Sequence, residues 1–283
     1  LDETSTVRLF SQAAIDRGHD LSVFDGVKAE AYLLITPEPM THGTPVTFSM
    51  GSPANEQNRG NDETRHTVTL TRPIAMQATG VTQLQYYLLT GQNPSSFKEV
   101  AHAEGDHIVL NSVEINKDHP VEQVSQEEAV AYTQLMNQKA GRDLYRISSE
   151  AEREFATRGG TETRFFWGDD EAQIDEYAWY FGNSSNRTHR VASKRPNAYG
   201  IYDLAGHLWE WQLDVYNDHY ALTSDELAAT TQDPMVSMEG SYRVIRGGSW
   251  SYYARCVRSA QRSNDPPGYR SYDVGFRFVR AFQ

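Results

Sequence analysis

A loop-rich α+β fold is what this sequence predicts, and three observations carry the prediction. Two segments, Ser125 to Ala140 and Ser149 to Arg158, each open on a Ser-x-x-Glu capping box and stop at glycine, at Gly141 and at Gly159-Gly160. Elsewhere short apolar runs are separated by clusters of Gly, Asn, Pro and Asp, the texture of brief strands between turns. No internal repeat and no regular strand–helix–strand alternation accompanies them, which argues against a parallel α/β sheet.

The elements follow in chain order. Within Glu3 to Leu34, Val7, Phe10 and Ala14 recur at helical spacing, with Leu9, Ala13 and Ile15 widening the apolar face until Arg17-Gly18-His19 stops the run. A second apolar segment, Leu21 to Leu34, is less periodic. Residues 1–42 are therefore expected to be an N-terminal helical extension packed on one main domain, residues 43–283, because so short a piece cannot build its own core. In that domain the first strands are expected at Val46–Met50 and His66–Leu70, with a turn-rich stretch between them. The two capped helices come next. After Gly160 loops dominate, with short strands expected at Tyr242–Ile245 and Gly275–Val279. Asn183-Ser184-Ser185 and Asn186-Arg187-Thr188 match the glycosylation sequon, a pattern common in ordinary surface loops.

Composition excludes several classes. The chain has 283 residues, 39% hydrophobic and 11% aromatic, enough apolar side chain to order a domain rather than a disordered tail. Its net charge of -12 argues against nucleic-acid binding through the whole surface, which needs clustered Lys and Arg. No apolar run approaches the roughly 20 residues of a membrane-spanning helix. Cys256 is the only cysteine, so neither an intrachain disulfide nor a Cys-rich metal site can form. A start at Leu1 rather than Met, together with poverty in cysteine, leads to the expectation of a processed, periplasmic or otherwise exported protein.

Several motifs, in order, carry a family resemblance. They are Thr47-Phe48-Ser49-Met50-Gly51-Ser52, Val81-Thr82-Gln83 and His119-Pro120-Val121-Glu122-Gln123-Val124-Ser125, followed by Tyr145-Arg146-Ile147-Ser148-Ser149-Glu150-Ala151-Glu152. The run from Pro196-Asn197-Ala198-Tyr199-Gly200 to Trp209-Glu210-Trp211 follows, and the chain closes with Arg246-Gly247-Gly248-Ser249-Trp250 and Gly275-Phe276-Arg277. From about Gly43 to the C-terminus the chain resembles the formylglycine-generating enzyme (sulfatase-modifying factor) family. The set is specific as an ensemble, and each piece alone is weak. The resemblance implies a loop-rich variant of the C-type lectin fold. It leaves function open, because one fold hosts many activities. Its members include copper-dependent formylglycine generators, iron-dependent sulfoxide synthases, a pyoverdine-maturation branch (PvdO-like) and lectin-like binding proteins.

Each activity demands particular residues. The formylglycine generators hold copper through two thiolates, and Cu(I) selects soft sulfur ligands. Here Tyr252 stands at the first position, and the second falls near Cys256 or Val257. One cysteine cannot make that site, so no copper is expected. Iron-dependent synthases need a His-rich facial site, and the 9 His here form no HxxxH-like pair. The resemblance also implies a structural Ca²⁺ held by Asp203, the carbonyls of Gly206 and Leu208, and Glu210. Hard oxygen donors close in sequence suit Ca²⁺; alternatively the two carboxylates pin the loop by hydrogen bonds without metal. His207 stands between them in place of the usual Asn, and Trp179 occupies an Asn position of the family's other calcium site. Gln126 and Arg153 stand where many relatives carry Trp, and Gln212 where many carry Cys.

Between Arg246 and Arg280 lie Arg246, Arg255, Arg258, Arg262, Arg270 and Arg277 with Trp250, Tyr252, Tyr253, Tyr269 and Tyr272, a local concentration in an acidic chain. Arg forks bind carboxylates or phosphates, and aromatic faces stack on planar ligands. Alternatively several of these Arg pair with acids inside the fold. Asp273 stands where the formylglycine generators use Asn, and a carboxylate there is able to act as a general base. The expected site therefore has Asp273, Tyr252 and Cys256 as catalytic candidates and Trp209, Ser249, Trp250, Arg255 and Tyr269 as substrate contacts. For Cys256 the alternative is a small packing residue. Two functions follow. One is an exported oxidase acting late in siderophore (pyoverdine) maturation on a planar phenolic dihydro precursor, with the electron acceptor left open and O₂ as one candidate. The other is a non-catalytic, lectin-like ligand- or protein-binding module.

Overall fold

The computed structural model describes residues 32–34, 45–98, 107–220, 230–236 and 240–281. The helix expected in the first 30 residues lies outside them. Tyr32–Leu34, assigned above to the helical extension, is instead a strand, β1. It runs antiparallel to β4 (Ile74–Gln77), so this part of the presumed extension belongs to the main sheet.

That first sheet has the order β1-β4-β13-β7, where β7 is Tyr145–Ile147 and β13 is Phe278–Ala281. The C-terminal strand thus closes onto elements more than a hundred residues earlier, with Val279 opposite both Met76 and Arg146. A second sheet, ordered β11-β10-β8-β12, joins Arg262–Asp265, Arg243–Arg246, Trp209–Val215 and Val274–Gly275. A third pairs β2 (Val46–Met50) with β3 (His66–Leu70) and β9 (Thr230–Gln232), and β5 (His107–Leu110) and β6 (Val113–Asn116) form a hairpin.

Three helices of eight residues or more are described: α1 (Gln83–Thr90), α2 (Gln126–Ala140) and α3 (Glu150–Arg158). All three carry complete capping boxes, from Thr82, Ser125 and Ser149, and all end at a left-handed glycine. The segment α1 is buried on nearly every side, from Gln83 to Leu89. A helix buried all round shows no amphipathic stripe, which is why periodicity did not reveal it. The strand expected at Gly275–Val279 is split into β12 and β13, with Phe276 and Arg277 turning inward between them.

Apolar packing falls into two clusters. Trp209, Trp211, Tyr132, Phe276 and Phe278 anchor one, and Met50, Val68, Phe155, Phe165 and Leu204 the other. Between the elements runs a buried polar frame. Glu154 pairs with Arg158 and Arg246, Glu150 with Arg246 and Arg262, and Glu63 with Arg258. Every one of these side chains is at most 5% exposed. Such pairs hold only because each charge meets its opposite with several hydrogen bonds; removing one partner would strand a buried charge.

Candidate functional site

The site grows from the Arg246-Gly247-Gly248-Ser249-Trp250 turn that follows β10. Gly248 adopts φ +77, and a Cβ there would lie 2.5 Å from the Cys256 carbonyl oxygen. Glycine therefore lets the turn Ala254–Val257 fold back against the motif. Ser249, fully buried, donates to Asp273 Oδ2 at 3.0 Å. Ser251 donates to the same oxygen at 2.8 Å, and Ser271 to Oδ1 at 2.5 Å. Three hydroxyls thus hold the Asp273 carboxylate, which is 7% exposed.

Trp209 and Trp250 are buried as well. Trp209 meets Tyr252 edge to face at 5.4 Å, and Trp250 packs against Phe97 and Tyr272 and donates from Nε1 to the Tyr272 carbonyl. Of the five expected substrate contacts, Trp209, Ser249 and Trp250 therefore form the floor beneath the face, and only Arg255 and Tyr269 reach solvent.

The face itself is aromatic and open. Tyr252, Tyr253, Tyr269 and Tyr272 are 44%, 56%, 43% and 49% exposed, and Phe181 is 51% exposed beside Tyr253 at 5.2 Å. The Arg255 guanidinium lies over the Tyr253 ring, 5.1 Å from its centroid. Burial, with Asp273 close by, pushes the Tyr252 phenol above its usual range. Burial also raises the Cys256 thiol, and the neighbouring Arg255 and Arg258 only partly oppose it. A raised thiol is not the thiolate that nucleophilic or metal chemistry needs.

Of the two readings of the basic concentration between Arg246 and Arg280, the structure takes pairing inside the fold for most of these Arg. Arg246, Arg258, Arg262 and Arg277 turn inward to Glu154, Glu150, Glu63 and Glu210. Arg270 pairs with Glu128 at the surface. The inward Arg satisfy buried acids and do not face a ligand.

The expected calcium loop is distinct in its geometry. Asp203 takes a left-handed conformation, φ 57, and its Oδ2 accepts from the Ala192 amide at 2.8 Å. Gly206, φ +74, lies against the Trp179 carbonyl, which a Cβ would approach to 2.1 Å. Glu210 is held from two sides. Arg153 Nε donates to Oε2 at 2.7 Å, and Arg277 donates to both oxygens at 2.7–2.9 Å. Burial alone would raise the Glu210 carboxyl, but the two guanidinium groups bring it below the usual range. Among the described residues no group of three or more His, Cys, Asp or Glu side chains converges as a metal site. Glu210, a carboxylate that the resemblance assigns to the cation, is thus already engaged by two guanidinium groups, whereas Asp203 Oδ1 is buried without a hydrogen-bond partner among the described residues.

The comparisons with known proteins agree with this architecture. Residues 36–282 match the sulfatase-modifying factor enzyme 1-like domain, and the chain belongs to that family. The formylglycine-generating enzyme of Streptomyces coelicolor is 34% identical over 175 residues, covering 56% of this chain and 52% of the relative; the chain spans about half of that relative's length. Among solved structures, Treponema denticola variable protein 1 superposes with a TM-score of 0.73 at 27% identity, covering 89% of this chain and 95% of that one. PvdO from Pseudomonas aeruginosa superposes with a TM-score of 0.69 at 29% identity, covering 84% and 92%. No described helix is long and apolar enough to cross a membrane.

Proposed function

We propose that this chain is a recognition module of the sulfatase-modifying factor family, binding its ligand through the exposed tyrosine face above Asp273. One observation carries the reading: Tyr252, Tyr253, Tyr269 and Tyr272 stand in solvent on a buried, ion-paired frame. Tyrosine offers a large, rigid, amphipathic contact area at low entropic cost, which is the physics of a binding face. The groups available for chemistry beneath it are quiet. Asp273 accepts from three hydroxyls and the Cys256 thiol is pushed up by burial. With Cys256 as the only cysteine, formylglycine generation through a two-thiolate copper site is not open to it.

A second reading is favoured by the 29% identity to PvdO. In it the chain is an exported oxidase of late pyoverdine maturation. A planar dihydro chromophore precursor stacks on Tyr252 and Tyr269, Asp273 takes one of its two protons, and its two electrons with both protons end on O₂ as hydrogen peroxide. Aerobic incubation with a dihydropyoverdine-type precursor, followed by absorption spectroscopy, separates the two. An unchanged chromophore spectrum supports the recognition module. Conversion at a rate that Asp273→Ala abolishes supports the oxidase and overturns the first reading.

A further inference from the structure

We propose that Arg153 takes the place of a structural metal ion: its guanidinium does internally, for the loop 203–210, what the resemblance assigns to bound Ca²⁺. The loop therefore carries no calcium in this protein.

The residue arrives from α3, at a position that the family resemblance gives to Trp in many relatives. It is 1% exposed. Nε donates to Glu210 Oε2 at 2.7 Å, Nη2 donates to the Leu204 carbonyl at 3.1 Å, and Nη1 donates to Thr157 on the same helix. One guanidinium thus gathers a carboxylate and a backbone carbonyl of the same loop, the two kinds of oxygen that a hard cation would gather. Arg277 closes the other side, binding Glu210 and the carbonyls of Gln77 and Tyr202. Burial pulls Arg153 down to about 10 despite its pairing with Glu210, which leaves it charged at neutral pH.

Charge counting points the same way. The acids of this centre are Glu210 and Asp203, two negative charges, and its bases are Arg153 and Arg277, two positive charges. The centre is neutral as it stands. A divalent cation added to it would leave two buried positive charges without a partner, a desolvation cost that such a site cannot recover. With Trp at position 153 the same count leaves one negative charge in excess, and a cation becomes favourable.

Asp203 Oδ1 is the remaining donor to account for. It is buried, with no hydrogen-bond partner among the described residues, and His207 Nδ1 is 3.7 Å away. Beside it lies a cavity of about 10 Å³ bounded by Asp203, His207, Leu208 and Glu210. That is about the volume of one water. Ca²⁺ takes six to eight oxygen ligands, and Asp203 is the one carboxylate facing this cavity that no guanidinium has claimed.

The test reads metal content and thermal unfolding together. Wild-type protein equilibrated with CaCl₂ and then freed of unbound ion is expected to carry far less than one equivalent of calcium by elemental analysis. Its Tm is expected to be the same in CaCl₂ and in EGTA, because an ion that does not bind the native state cannot stabilise it by mass action. Arg153→Trp is expected to unfold at lower temperature and to gain Tm on addition of CaCl₂. One equivalent of calcium in the wild type, or a Tm several degrees lower in EGTA, overturns the proposal. So does an Arg153→Trp variant as stable in EGTA as the wild type, since the guanidinium would then not be holding the loop. Should the variant fail to fold, the wild-type measurements decide alone.

Discussion

The stretch from Arg246 to Arg277 contributes to two regions that treat the same residue types in opposite ways. In the frame, Arg246, Arg258, Arg262 and Arg277 are buried and each meets a glutamate from a distant element. On the face, Arg255 and the tyrosines at 252, 253, 269 and 272 stand in solvent and make few contacts that the fold needs. Arginine in the frame is therefore a stability device, and arginine on the face is a contact available to a ligand. The separation means that side chains on the face should be exchangeable at little cost to folding, whereas the frame admits almost no change.

Breaking the frame gives the largest expected effect. Arg258→Ala leaves Glu63 and Glu56 without their partner, Glu63 being wholly buried. A loss on the order of 3–5 kcal/mol is expected, read as a fall in the urea midpoint. The next effect sharpens the boundary between floor and frame through pH. Glu122 is buried, accepts from the Phe97 amide with Oε1, and has no partner for Oε2 among the described residues. Burial, despite the amides of Phe97 and Ser96, raises its carboxyl from 4.5 to about 7. The folded state thus keeps this proton where the unfolded chain has lost it. Its contribution to stability is present below about pH 4.5 and is lost as pH rises to about 7. Glu122→Gln is expected to remove that dependence and to gain on the order of 1–3 kcal/mol at pH 8 over the wild type, measured by urea unfolding across pH. Removing the Thr82 cap of α1 with Thr82→Ala should cost about 1 kcal/mol. The smallest effect belongs to the face: Tyr253→Ala is expected to change stability by no more than about 0.5 kcal/mol.

Local signals in the chain were the readable ones. The helices α2 and α3 announced themselves through capping boxes at Ser125 and Ser149, because a cap is a contact between residues three apart. The strands Val46–Met50 and His66–Leu70 were equally plain from their apolar runs and flanking turns. The family resemblance added the particular fold, a loop-rich variant of the C-type lectin fold, to the α+β class that local signals already indicated. What remained hidden was long-range pairing. Arg258 meets Glu63 across 195 residues and Arg262 meets Glu150 across 112, so nothing near either Arg in sequence marks it as part of the frame. The same cause separates Trp209, Ser249 and Trp250, which form the floor, from Tyr252, Tyr253, Tyr269 and Tyr272, which form the face: burial is decided by elements far away in the chain. Arg153 illustrates it once more, since its partner Glu210 lies 57 residues on.

The claim that the tyrosine face is a recognition surface carried by an independent frame is tested most directly by binding to immobilised peptide and glycan arrays. Wild-type protein would be compared with a variant carrying Tyr252→Ala, Tyr253→Ala and Tyr269→Ala. The account predicts defined array signals for the wild type that the variant loses, while its Tm stays within a few degrees of the wild type. Signals that survive unchanged in the folded variant would contradict it.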